Sequence, residues 1–314
     1  MVNSNGMPKF RVTVIGTINR DTLIFPRGKR TESFGGILYN LSALSGLGGK
    51  WMEVYPVCNV GYGVYDRVRE ILESYENVRP DGVKKVGRKN NHAFLLIDQE
   101  SERQEVLKNR VPVLSFSQIE PFLECDVILV NFISGFDITL STLKKIRRST
   151  AALIFMDVHS LTLGIRRDGR RFFRSPKSWK EYIKQADLVQ TNMAELSVLA
   201  EKSLKSPSDI RDFGEYVLSL GPRALLVTLG EEGAIMIYRH GEGCRLKKDE
   251  GIKVRGFKDA TGAGDAFSAG FLVRYFQSRS LVWSLDFANR VAAEKCKTSG
   301  AEGVARLLRE FAHP

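Results

Sequence analysis

The chemistry in this sequence is densest in the run Asp259-Ala-Thr261-Gly262-Ala263-Gly264-Asp265. Residues 262–264 carry little or no side chain, so their N–H groups can approach a ligand closely. An apolar helical pattern follows, which puts those groups at a helix start. There, unpaired donors and the helix dipole favour an anion. Asp265 falls in the first turn. It reads either as a carboxylate that complements the dipole or as a general base beside an anion hole. A carboxylate next to a site for developing negative charge suits activation of an alcohol for phosphoryl transfer.

Other residues invite similar scrutiny. Asp21 interrupts an apolar stretch of Ile18, Leu23, Ile24 and Phe25; such a carboxylate is costly unless it pairs or binds. Asn192 and Glu195 have the spacing of a helix capping box. Gly230 and Gly233 follow Thr228 and suit a turn. Gly35 and Gly36 precede a helical pattern. His159 follows an apolar strand, at the end where open α/β sheets place ligands, although a lone histidine also serves structure. Several motifs are absent. The segment Gly82-Val-Lys-Lys-Val-Gly87-Arg88-Lys89 stops short of a Walker A loop. GxGxxG, GxSxG and HExxH do not occur, which removes the main support for dinucleotide, hydrolase and zincin chemistry.

The elements that must position these residues alternate. Apolar runs at 11–15, 126–130, 153–157, 187–190 and 224–228 read as strands covered on both faces. Helical patterns span 37–47, 66–74, 140–148, 194–200 and 210–220, then 265–277, 281–297 and 304–311. The expected fold class is α/β: one doubly wound, Rossmann-like sheet with helices on both faces, formed by a single domain over 1–314. Segments at about 17–34 and 84–111 are extended but poorly covered, and read as a small β-sheet lid. Within the second, 93–97 and 104–107 flank a polar turn at 98–102.

The 314 residues are 43% hydrophobic and 26% charged, ordinary for a globular chain. No apolar run approaches the ~18 residues of a membrane span. The opening residues lack the apolar segment of a signal peptide, and Cys58, Cys125, Cys244 and Cys296 form no CxxC pair. The expected location is therefore cytoplasmic, with reduced thiols. The four histidines show no zinc-ligand spacing. Of the net charge of +11, +9 lies between Lys144 and Lys184. That stretch suits an anionic ligand or a solvated basic face. It lacks the aromatic interleaving of a nucleic-acid platform, so nucleic acid is not an expected partner.

The run 259–265 resembles the C-terminal signature of the ribokinase/PfkB family of carbohydrate and nucleoside kinases. Four further elements occur in family order. Gly16-Thr-Ile-Asn19-Arg-Asp21 resembles the early N-x-D element, and Gly35-Gly36-Ile-Leu-Tyr-Asn40 is similar to the GG-x-x-x-N segment. Asn192-Met-Ala-Glu195 matches N-x-x-E. Thr228-Leu-Gly230-Glu-Glu-Gly233 resembles the T-x-G-x-x-G turn. The resemblance spans residues 16 to 270 and implies a ribokinase-like fold and an ATP-dependent kinase. The γ-phosphoryl group would pass to a hydroxymethyl of a sugar or sugar-like acceptor. Asp265 would be the base, and Gly262, Ala263 and Gly264 the anion hole. Asn19, Asp21, Gly36 and Asn40 would hold the acceptor. Asn192, Thr228, Gly230 and Gly233 would serve the nucleotide. Glu195 and Asn192 would organise Mg²⁺ through water. Carbonyls of Asp259 and Thr261 would bind a monovalent cation, K⁺, as in some members. Lid strands in the family can pair between subunits, which implies a homodimer; no membrane partner is implied.

Departures from the pattern matter. Ile37-Leu38-Tyr39 stands where ribokinases commonly carry lysine, which puts ribose in doubt and suits a nucleoside base. The usual G-x-D-x-x-G is altered to Gly61-Tyr-Gly63-Val-Tyr-Asp66. A basic flap loop with Arg27, Lys29 and Arg30 suits an acceptor that already carries phosphate. Nucleoside and phosphosugar kinases are therefore the alternatives within the family. A non-catalytic anion- or RNA-binding or sugar-sensing protein is the alternative outside it.

Overall fold

Polar residues punctuate apolar runs at the ends of the strands, and this punctuation shapes the molecule. The computed structural model describes residues 9–24, 28–97 and 103–312; Arg27 of the flap loop and the turn at 98–102 lie outside them. In chain order, β1 (Phe10–Ile15) lies in a large sheet. β2 (Ile18–Ile24) and β3 (Arg30–Gly36) leave it, and β4 (Met52–Gly61) and β5 (Val83–Val86) return. β6 (His92–Ile97) and β7 (Arg103–Lys108) join β2 and β3 in a four-stranded lid of order β3-β2-β6-β7. β8 (Val127–Asn131) and β9 (Leu153–Asp157) extend the large sheet, and β10 (Leu163–Ile165) and β11 (Arg171–Phe173) form a separate hairpin. β12 (Leu188–Asn192), β13 (Ala224–Thr228), β14 (Gly233–His240) and β15 (Gly243–Glu250) complete the large sheet. Its order is β15-β14-β13-β12-β9-β8-β1-β4-β5, parallel from β13 to β5 and antiparallel at the β14–β15 edge.

Alternation along the strands divides the core. Val12, Val14, Val127, Leu129 and Phe155 face one side, and Ile128, Val130, Ile154 and Met156 the other. The first side is covered by α1 (Leu38–Gly48) and by three C-terminal helices. The second is covered by α4 (Leu140–Ser149), α6 (Met193–Ala200) and α7 (Pro207–Ser219), with the shorter α3 (Phe116–Ile119) and α5 (Trp179–Ile183), while α2 (Tyr65–Glu73) packs Val68, Ile71 and Leu72 into the first side. The C-terminal three are α8 (Ala263–Ser278), α9 (Leu281–Lys295) and α10 (Val304–Ala312). All eleven residues of α1 are buried, and none is charged. Gly46 lets it approach α10: a Cβ there would stand 2.4 Å from the Ala305 carbonyl oxygen.

The doubly wound sheet and its lid match the sequence expectation. Three details differ. Strand β4 was not expected because Pro56 and Asn59 interrupt its pattern. Proline is tolerated there because β4 pairs with β5 only from Cys58 onward. Residues 83–86 belong to the large sheet, so the second lid segment begins at His92 rather than near 84. The edge hairpin β14–β15 also lay outside the expected strands. Among the described residues no helix is long and apolar enough to cross a membrane.

Candidate active site

The chain steps from β1 to β4 on one side and later places β8 on the other, so the order of parallel strands reverses at β1. Ligands bind at such switch points, beyond the carboxyl ends of the strands. Those ends form a polar ledge. Asn131 of β8 lies opposite Asp157 of β9, Gln190 of β12 also pairs with Asp157, and Asn192 lies opposite Thr228 of β13.

The N-terminus of α8 faces this ledge and presents Asp265. The Asn131 amide donates to Asp265 Oδ1 at 2.6 Å and to Asn40 Oδ1 at 3.0 Å. Asn40 in turn donates to the Asp265 carbonyl, also at 3.0 Å. Asn40 is fully buried and holds α8 against α1; it does not line the cavity that opens beside Asp265. Burial pushes the Asp265 carboxyl up to about 6, against the opposing pull of the Asn131 hydrogen bond and of Lys295. Near neutral pH it is a base of useful strength.

The glycine turn has a specific cause. Gly262 sits at φ 80°, and a Cβ there would come within 2.3 Å of the Tyr39 ring. The Ala263 N–H donates to the Ala260 carbonyl at 3.0 Å. It is therefore engaged within the turn, which departs from the expectation that all three amides of 262–264 would meet an anion. Asp259 Oδ1 accepts from the Thr261 N–H at 2.9 Å, and the Asp259 carbonyl accepts from Lys295 Nζ at 3.0 Å.

A cavity of about 100 Å³ joins body and lid; Asn19, Asp21, Gly36, Thr261, Gly262 and Asp265 all line it. The double glycine makes room for it. A Cβ on Gly35 would lie 1.9 Å from Asp21 Oδ2, and one on Gly36, at φ 65°, would lie 2.1 Å from the Thr17 carbonyl oxygen. Glu105 of β7 adds a further carboxylate, and Tyr39, Leu95 and Ile133 add apolar wall. The buried Oδ1 atoms of Asn19 and Asn131 and Oε1 of Gln190 have no hydrogen-bond partner among the described residues. Such atoms are rare in finished interiors and mark places for ligand or water.

The other side of the ledge is larger. Asn192 and Glu195 form a reciprocal capping box at the start of α6, with Glu195 N–H to Asn192 Oδ1 at 2.9 Å and Asn192 N–H to Glu195 Oε2 at 3.0 Å. Asn192, Thr228 and Gly230 line a cleft of about 360 Å³. Gly233 does not reach it; it packs on β15, where a Cβ would lie 2.1 Å from the Asp249 carbonyl oxygen. A neighbouring cleft of about 510 Å³ brings Asn192, Glu195 and His159 together with Arg166, Arg170 and Arg171 of the β10–β11 hairpin. His159 also lines the smaller cavity between body and lid. The lid is joined to this hairpin: Leu107 N–H donates to the Gly169 carbonyl at 2.9 Å.

Burial pushes the Glu195 carboxyl up to about 7, and nearby Asp265 adds to the rise. Burial, with Glu195 and Asp265, also holds Asp157 well above the usual range. Such a group of carboxylates is relieved by a cation. Among the described residues no three acidic, histidine or cysteine side chains converge to chelate one directly.

Asn131, Asp157, Gln190, Glu105 and Lys295 were not singled out from the sequence. A polar residue closing an apolar strand was the available signal for the first three.

The comparisons with known proteins agree with this geometry. The model of the pfkB family of carbohydrate kinases matches residues 43–305. A cytidine kinase of Thermococcus kodakarensis is 23% identical over 312 residues, covering 96% of each chain. The Arabidopsis thaliana ribokinase solved with ribose and ATP superposes with a TM-score of 0.74 at 19% identity, covering 98% of this chain and all of that one. A pyrophosphate-dependent kinase of the ribokinase family gives 0.73 at 19% identity, covering 92% and 96%. The two structural likenesses speak for the fold. With the family model spanning most of the sequence, the chain belongs to the pfkB family of carbohydrate kinases, phosphotransferases whose acceptor is an alcohol group.

Proposed function

We propose that the protein transfers the γ-phosphoryl group of ATP to a hydroxymethyl of an uncharged sugar or nucleoside. The observation that carries this reading is the pairing of two unlike compartments. Asp265 shares a small cavity with Asn19, Asp21 and Glu105, while Arg166, Arg170 and Arg171 line the adjoining cleft. Asp265 takes the proton of the acceptor hydroxyl. The oxygen then bonds to the γ-phosphorus as the bond to the β-phosphate oxygen breaks, and ADP leaves. The Gly262 and Gly264 amides face the phosphoryl group in flight. Arg166 and Arg170 face the phosphoryl donor, while Arg171, which donates to the Ser134 and Ser160 carbonyls at 2.9 and 3.5 Å, holds the hairpin in place. Mg²⁺, held through water by Asn192 and Glu195, would neutralise phosphate charge.

The apolar wall of Tyr39, Leu95 and Ile133 favours a nucleoside over a bare sugar, and the full-length likeness to a cytidine kinase points the same way. An acceptor that already carries phosphate fits poorly, because three carboxylates line the cavity. A homodimer would form along β3, since the opposite lid edge, β7, is already joined to the hairpin.

The test is a coupled ADP-release assay over sugars, polyols, phosphosugars and nucleosides, with a pyrophosphate arm and Asp265→Asn as the blank. Turnover on neutral acceptors that the blank lacks is expected. Turnover on phosphosugars alone would overturn the acceptor class. Bound nucleotide without turnover on any acceptor would overturn the kinase reading.

A further inference from the structure

We infer that the buried ammonium of Lys295 is the resident cation of the loop 259–264, filling the seat expected for a monovalent ion, so that turnover needs no K⁺. This deepens the kinase reading and rests on it.

Lysine is almost never fully buried unless its charge is matched, yet Lys295 is 0% exposed. It closes α9, where the negative end of the helix dipole favours a cation. Its surroundings are those of a hard monovalent ion. The Asp259 carbonyl accepts from Nζ at 3.0 Å, Asp259 Oδ2 lies 3.9 Å away, and the Tyr39 ring centroid is at 5.2 Å. An ammonium head and K⁺ are similar in size and equal in charge. With Lys295 on the Asp259 carbonyl, one of the two carbonyls expected to hold such an ion is already taken.

The position also links the charge to the reaction. The Lys258 and Asp259 N–H groups donate to the Cys296 carbonyl at 2.8 and 3.3 Å, which ties the loop to the end of α9. The Asp259 carboxylate folds back onto the Thr261 N–H. The Tyr39 ring that faces the ammonium is also the ring that packs on Gly262. Lys295 does not line the acceptor cavity. It is therefore a positioning residue: it sets the loop that carries Gly262, and it adds positive charge behind the site where negative charge develops. Without it the Asp259 carboxylate is left uncompensated against the same loop.

The experiment compares the wild-type chain with Lys295→Met, which keeps the length without the charge, and Lys295→Ala, which opens space for an ion. Each is assayed in K⁺, NH₄⁺ or tetramethylammonium at constant ionic strength. Wild-type turnover should be the same in all three. Both variants should lose about a hundredfold in kcat, the scale of one lost electrostatic contact near a transition state, with acceptor KM little changed. K⁺ or NH₄⁺, but not tetramethylammonium, should restore part of the Lys295→Ala rate and raise its unfolding temperature. Wild-type turnover that rises severalfold with K⁺ would overturn the inference, as would Lys295→Met at full rate in tetramethylammonium. The unfolding readout needs no substrate. Cation-specific stabilisation of Lys295→Ala without turnover by any form would leave the resident cation standing and remove the kinase reading instead.

Discussion

The small cavity beside Asp265 and the arginine-lined cleft share His159 and Glu105 as common wall, yet their balance of charge differs. Asp21, Glu105 and Asp265 dominate the first, and Arg166, Arg170 and Arg171 the second. The proposed function rests on this contrast between two compartments that meet at a common wall. On the proposed reading, a hydroxyl-rich neutral molecule would sit where carboxylates accept hydrogen bonds, and a polyphosphate where guanidinium groups donate them. Part of the +9 stretch belongs to this division: Arg166, Arg170 and Arg171 line the second compartment, whereas Lys144 and Lys184 pair with Glu181 and Arg147 pairs with Asp187 away from it.

The strongest blow to the first compartment is Asp265→Asn. It should lower kcat by about 10³-fold or more while nucleotide affinity, measured by calorimetry, stays within a few-fold. The same group sets the pH profile. Its carboxyl is raised to about 6, so the rate should fall as pH drops below about 6, where the base is protonated. The stability effect runs the other way. A raised carboxyl binds its proton more tightly in the folded state, so its ionisation removes stability as pH rises through about 4 to 6. Asp265→Asn should therefore raise the unfolding temperature at pH 8, by up to about 3 kcal/mol of stability, and the gain should vanish near pH 4.

Asp21→Ala should come next, raising acceptor KM by roughly 30-fold for a lost charged hydrogen bond, with the KM of the phosphoryl donor unchanged. An equal change in both would erase the division between compartments. The double change Arg166→Ala and Arg170→Ala should do the converse: about tenfold weaker nucleotide binding and a shallower salt dependence, with acceptor KM intact. The mildest change, Glu105→Gln, should alter neutral acceptors only a few-fold while improving any anionic acceptor relative to its neutral parent. No change in that ratio would remove Glu105 from the specificity wall.

Much of this site was legible because its residues sit in short local patterns. The turn at 259–265, the double glycine and Asp21 each announce themselves within a few positions, and the apolar runs of β8, β9 and β13 gave the sheet. What escaped depends on contacts far apart in sequence. Asn131 and Gln190 matter only because strand register sets them beside Asp265 and Asp157. Lys295 lies in a helix whose pattern makes it one more lysine near an end, and only the packing of α9 against the loop takes it out of water. Strand β4 was hidden by Pro56, whose tolerance is decided by where β5 begins to pair. The capping box at Asn192 and Glu195 shows a different case: the local reading and the site reading are both compatible with one geometry.

The hydrogen bond from Leu107 to Gly169 joins the strand that carries Glu105 to the hairpin that carries the arginines. On the proposed reading, the two ligands would act on opposite ends of one mechanical link. A ligand that shifted the hairpin would shift the lid with it, and linkage requires the same coupling in reverse. Occupancy of either compartment should sharpen the affinity of the other, so the two substrates would bind with synergy instead of independently.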